Sequence, residues 1–139
     1  MQISAADVVV HAEAVFDAEH SEPLSSRYVF QYTVSIENKA KVALIVMTRN
    51  WVITDGERTV NVIHGLGVFG CQPHIEPGKE LRYTSGTWIP TPTGTMKGVF
   101  QIQAEGKNTF GVPIPEFQLV ATIASQSLLL APSLCPSAP

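Results

Sequence analysis

A chain of 139 residues, 45% hydrophobic and 15% charged, is long enough to bury one core without staples and too apolar to stay disordered. Its net charge is −3, and its nine Lys and Arg residues are scattered. That argues against a nucleic-acid binder, since such binding rests on clustered cations that release counterions. Its two cysteines are too few for a disulfide framework, so a reducing cytoplasm is the expected compartment.

Met1–Asp7 has neither the basic start nor the apolar core of a signal peptide. The longest apolar stretches fall far short of the ~20 residues that span a bilayer, so no membrane partner is expected. In Val8–Phe16, the residues Val8, Val10, Ala12, Ala14 and Phe16 share one side. A polar loop with Pro23 follows. In Arg27–Asn38, Tyr28, Phe30, Tyr32, Val34 and Ile36 fall on one face and Gln31, Thr33, Ser35 and Glu37 on the other. Period two over that length is a strand; a helix would scatter those five residues around its circumference.

Val42–Thr54 is apolar on both faces at its start and bounded by turns, which predicts a central strand with Trp51 in the core. Asp55-Gly56 is a hairpin signal, with Thr59–Ile63 as the returning strand. Glu80–Trp88, Thr95–Gln103 and Asn108–Leu119 complete the set. Pro113 and Pro115 remove two ladder donors, so the last strand belongs at an edge or carries a bulge. Its inward set also changes parity, from Phe110, Val112 and Ile114 to Phe117 and Leu119, as a bulge requires. The fold expected is an all-β two-sheet sandwich of about seven or eight strands. The domain spans 1–124, and 125–139, rich in Pro, Ser and Ala and carrying Cys135, reads as a flexible C-terminal tail.

An ordered series of segments is similar to one family. It runs Arg27-Tyr28-Val29-Phe30-Gln31-Tyr32, then Trp51-Val52-Ile53-Thr54-Asp55-Gly56, then Gly65-Leu66-Gly67-Val68-Phe69-Gly70-Cys71-Gln72-Pro73, then Pro77-Gly78-Lys79-Glu80, Tyr83-Thr84-Ser85-Gly86 and Thr91-Pro92-Thr93-Gly94. Together these resemble the ApaG (CorD) domain family over roughly Val8 to Thr122. The resemblance implies an immunoglobulin/fibronectin-III-like sandwich without established enzymatic activity. It also implies a domain reused in larger eukaryotic proteins, some F-box proteins among them, for protein–protein contact. The bacterial members' association with cobalt and magnesium tolerance comes with it.

Several residues invite a chemical reading. Gly65, Gly67 and Gly70 match G-x-G-x-x-G, which cradles a pyrophosphate when a strand precedes the loop and a helix follows. Here Pro73 and Pro77 follow, so a helix is not expected, and the glycines read first as a turn. An anion-binding nest without a helix stays open as the alternative. In that case a Gly67 substitution would remove ligand-dependent stabilisation without unfolding the domain. His64, Cys71 and His74 form a possible divalent-metal set, against which stands the plainer reading of loop histidines and a small thiol. Ser85 is not in a nucleophile elbow, and no catalytic residues are assigned. Phe69, Tyr83 and Trp88 are candidate interaction residues, Trp88 foremost because a stiff Ile89-Pro90-Thr91-Pro92 loop follows it. The expected function is a non-enzymatic module that binds an unidentified protein partner, with no cofactor, as a monomer or weak homodimer. The alternative is a small-ligand module for a nucleotide, pyrophosphate or divalent metal at the glycine-rich loop.

Overall fold

The computed structural model describes residues 3–122. Eight strands run β1 (Val8–Phe16), β2 (Tyr28–Asn38), β3 (Leu44–Asp55), β4 (Val60–Leu66), β5 (His74–Ile75), β6 (Glu80–Ile89), β7 (Thr93–Ala104) and β8 (Thr109–Val120). Helical structure among the described residues is limited to single 3-10 turns at Ala5–Asp7 and Pro23–Ser25. One antiparallel sheet has the order β1-β2-β6; the other has the order β4-β3-β7-β8, with β5 also pairing β3. The result is an eight-stranded sandwich with β1 lying against β8. The residues proposed for the tail, 125–139 with Cys135, lie outside the described residues.

The alternation of β2 decides which side is core. Phe30, Val34 and Ile36 are fully buried, while Gln31, Thr33 and Glu37 on the opposite face are not. β3 runs through the middle of its sheet, and Trp51 on it is 1% exposed. The Trp51 ring meets the edges of Tyr32 and Phe117 at centroid distances of 5.2 and 5.9 Å, the tilted geometry that aromatic quadrupoles favour. β3 changes register against β7 between Val46 and Thr48, and with that shift Val46, Trp51 and Ile53 all face inward.

The parity change near the C-terminus is a bulge. Met96 pairs with Phe117 but Gly98 pairs with Ile114, so three steps on β8 oppose two on β7, and Pro115 and Glu116 lie in the widened stretch. β8 is an edge strand, where the missing donors of Pro113 and Pro115 leave no central ladder broken.

β4 differs from expectation: it continues beyond Ile63 to Leu66, with Gly65 paired to Arg49 and Leu66 to Thr48. The preceding turn is organised by Asp55, whose buried carboxylate accepts the N–H groups of Glu57 and Thr59 at 2.8 and 3.0 Å. Asn38 ties the β2–β3 connection to β5. Its amide nitrogen donates to the Val42 and Ile75 carbonyls at 2.9 and 2.8 Å, and its oxygen accepts Ala40 N–H at 2.7 Å. A buried amide so satisfied fixes the loop instead of weakening it.

Gly98 of β7 pairs with Trp51 and lies against the β3 backbone and the Trp51 ring. A Cβ there would fall 2.2 Å from the Asn50 carbonyl oxygen and 3.2 Å from the Trp51 ring. Gly98→Ala is therefore expected to lower stability by about 2 kcal/mol or more in urea unfolding, through overpacking of a filled site. Gly106→Gln, in an open turn with nothing near its side-chain position, provides the contrast. Its effect is confined to the left-handed backbone strain of about 1 kcal/mol.

Candidate functional site

The glycine-rich segment is a tight hairpin. Val68 and Cys71 exchange both backbone hydrogen bonds, at 2.8 and 2.9 Å. The two residues between them, Phe69 and Gly70, have φ of 53° and 79°, the left-handed pair of a type I′ turn. Gly67 has φ of 34°, and a Cβ on it would lie 1.8 Å from the Cys71 carbonyl oxygen. Gly65 leaves room for Arg49, whose guanidinium a Cβ would approach at 2.9–3.0 Å. Through that space Arg49 Nη1 donates to the carbonyls of Leu66 and Gly67 at 2.6 and 3.0 Å.

This arrangement does not resemble a phosphate cradle. The amides of Gly67, Val68 and Cys71 already donate to backbone carbonyls, and the following element is the short strand His74–Ile75, not a helix. It also corrects one expectation: a side chain at Gly67 collides with the turn itself, so substitution there damages the hairpin whether or not a ligand binds.

The turn projects Phe69, about half exposed, against Tyr83 of β6, with ring centroids 5.6 Å apart. Phe69 and Tyr83, two of the three aromatic candidates, thus meet. Tyr83 points inward, and its hydroxyl, like Nε1 of Trp51, is buried with no hydrogen-bond partner among the described residues. Burial pushes the Tyr83 phenol well above its ordinary range, the nearby Tyr32 adds to this, and Arg49 opposes it. The third candidate, Trp88, lies on the opposite face of β6. Half exposed on the outside of the three-stranded sheet, it pairs with Val29 and carries the Arg27 guanidinium 4.9 Å from its ring centroid, a cation–π contact. Gly86, the next outward position on β6, adds no side chain, and Val15, paired to Gln31 in the same row, is exposed.

The loop beside this face is pinned by Asp17. Its carboxylate accepts Gln31 Nε2 at 3.0 Å, His20 N–H at 3.2 Å and the His20 ring at 2.8 Å. Partial burial raises the carboxyl's pKa, but the Gln31 and His20 hydrogen bonds outweigh it and hold it below the ordinary value.

The metal candidates are not brought together. His64 and His74 pair with Asn50 and Ile45, five residues apart along β3, or about 17 Å at strand rise. The His64 ring is hydrogen bonded to Asn50, and Cys71 is a free, exposed thiol. Among the described residues no three His, Cys, Asp or Glu side chains gather at ligating range.

The family model described as "ApaG domain" matches residues 18–104. The chain belongs to the ApaG domain family. It is 44% identical over 110 residues to Protein ApaG of Thiobacillus denitrificans, covering 79% of this chain and 87% of that protein. It is 44% identical over 113 residues to Protein ApaG of Bordetella pertussis, covering 81% and 86%. The crystal structure of an ApaA protein from Bordetella pertussis superposes with a TM-score of 0.80 at 42% identity, over 85% of this chain and 96% of that one. The ApaG match takes in β2 through β7, and with them the glycine-rich turn, the Phe69–Tyr83 contact and Trp88.

Residues that the sequence reading passed over are Arg27, Arg49 and the exposed apolar side chains of β4: Val60, Val62, Ile63 and Leu66. Their signal was present as a seven-residue stretch with no charge and no proline, which as a solvent-exposed edge is unusual.

Tyr83→Phe removes an unpaired buried hydroxyl and keeps the ring. It is expected to leave stability at neutral pH unchanged or raise it by up to about 1 kcal/mol. Because the folded phenol ionises above its ordinary 10.0, its contribution is present below pH 10.0 and is lost as pH rises through the folded value. Unfolding titrations between neutral pH and about pH 11 should show this alkaline loss in the wild type and less of it in Tyr83→Phe. A variant clearly less stable than wild type at neutral pH would mean that the hydroxyl makes a stabilising bond.

Proposed function

We propose that the chain is a non-enzymatic docking module that binds a protein partner through the outer face of its three-stranded sheet, centred on Trp88. The observation that carries this reading is the half-exposed indole on the outer face of the sheet, framed by Val29, Val15 and the bare Gly86. A tryptophan offers a large apolar area with few rotatable bonds, which is why such residues dominate binding energy at interfaces. Arg27 stacked on the ring limits its motion before a partner arrives, so less entropy is lost on docking. The strands behind it are part of a continuous sheet, and Asp17 secures the adjoining loop. A reducing cytoplasm as the working compartment agrees with the free thiol of Cys71. The small-ligand alternative at Gly65, Gly67 and Gly70 draws less support, since three of that turn's amides are already bonded.

The test is a quantitative pull-down from native lysate with three immobilised full-length baits: wild type, Trp88→Ala and Val62→Lys. The expected result is a protein retained by wild type and Val62→Lys but absent from Trp88→Ala, with Trp88→Ala losing no more than about 1 kcal/mol of stability. Retention of the same proteins by wild type and Trp88→Ala, or of nothing beyond an empty matrix, rejects docking at this face.

A further inference from the structure

The sheet edges are not equivalent. β8 carries two prolines and a bulge, β1 lies against β8, and β6 displays Glu80 and Arg82. Each of these features discourages strand addition. β4 has none of them. Its sequence, Val60-Asn61-Val62-Ile63-His64-Gly65-Leu66, contains no formally charged residue and no proline, and all but Gly65 are exposed. Val62 is 67% exposed, and Val60 and Leu66 are each 54% exposed. The apolar side chains emerge on both faces of the strand, so the covering group must meet the edge itself and not one face of the sheet.

The hydrogen bonds at the two ends of the β3–β4 ladder set its phase. Asp55 N–H donates to Thr59 at 3.0 Å, and Gly67 N–H donates to Met47 at 2.9 Å. Bonded pairs alternate along an antiparallel ladder, so Asn61, Ile63 and Gly65 bond to β3. Val60, Val62, His64 and Leu66 then direct their N–H and C=O groups away from it. We propose that this edge pairs with β4 of a second copy of the chain, antiparallel about a two-fold axis through Ile63, to form one continuous sheet across a homodimer.

The register follows from matching outward groups. About Ile63, Val60 faces the partner's Leu66 and Val62 faces the partner's His64, so all four outward residues find counterparts. An axis through Val62 or His64 leaves one outward residue of each copy unmatched, and the latter also opposes two imidazoles. An axis between residues sets outward groups against inward ones. Charge is compatible with the Ile63 axis as well. It brings the turn residue Glu57 to the end of the strand where the partner's Arg49 holds the Leu66 and Gly67 carbonyls. Among the described residues Arg49 has no carboxylate within salt-bridge distance. The seam is short compared with the ~800 Å² per partner of a standard interface, so the dimer is reversible and assembles in the micromolar range or above.

This inference does not depend on the Trp88 reading, which concerns the other sheet. Its test uses the full chain with Cys71→Ser and Cys135→Ser, to which either Ile63→Cys or Val60→Cys is added. At the axis the two Cβ atoms are neighbours and a disulfide is feasible, whereas two Val60 positions lie about 20 Å apart. Mild oxidation is expected to link Ile63→Cys into a dimer several-fold faster than Val60→Cys. Sedimentation of the uncrosslinked chain between about 10 µM and about 1 mM is expected to show dimer growing with concentration. Val62→Lys, on an exposed position, should abolish that growth and leave the dilute thermal midpoint unchanged. Equal crosslinking of the two cysteine variants, a wild type that stays monomeric throughout, or a dimer that persists in Val62→Lys overturns the proposal. A monomeric result leaves the edge to a strand of another protein.

Discussion

The packing of this sandwich depends on Trp51 lying between the sheets, which is possible only because the residue paired with it, Gly98, has no side chain. The indole fills space that two ordinary side chains would otherwise divide, and it does so beside the central strand's own backbone. Tyr32 reaches it from the facing sheet and Phe117 from β8. Phe117 can do so only because the bulge after Ile114 turns it inward. A glycine on one strand and an extra residue on another are therefore parts of one arrangement. Interiors packed to crystalline density leave little slack for either to change alone.

How much of this was legible depends on whether the relevant physics is local. The alternation of β2 is local, because each residue's face is set by its position in the pleat. The sequence pattern matched the burial from Phe30 to Ile36 except at Ser35, which is buried although it lies on the outer face. The β8 bulge was also local, written in the parity change from Ile114 to Phe117 and in the two prolines. The continuation of β4 through Gly65 and Leu66 was not, because those residues pair with Thr48 and Arg49 across a turn, and a glycine gives no periodic signal of its own. Nor did spacing foretell that Phe69 would meet Tyr83, or that Arg27 would lie over the Trp88 ring, since both contacts join separate segments of the chain.

The glycine-rich segment shows the limit of a motif read without its surroundings. Three glycines at dinucleotide-binding spacing occur here for three separate reasons. Gly65 admits a guanidinium, Gly67 admits a carbonyl, and Gly70 supplies the second left-handed residue of a hairpin. The spacing is shared with phosphate-binding loops, but the amides of Gly67, Val68 and Cys71 are turned toward the protein's own carbonyls. What the turn offers to solvent is the Phe69 ring and the Cys71 thiol.

The two tryptophans occupy opposite extremes of environment, one 1% exposed and the other 50% exposed. Their fluorescence is therefore separable. An aqueous quencher reaches the indole of Trp88, while the indole of Trp51 emits from an apolar interior and shifts to the red only when the sheets part. With no third tryptophan in the chain, one sample carries a reporter of the surface and a reporter of the core. Events at the outer sheet face can be followed without an added label and without being mistaken for unfolding.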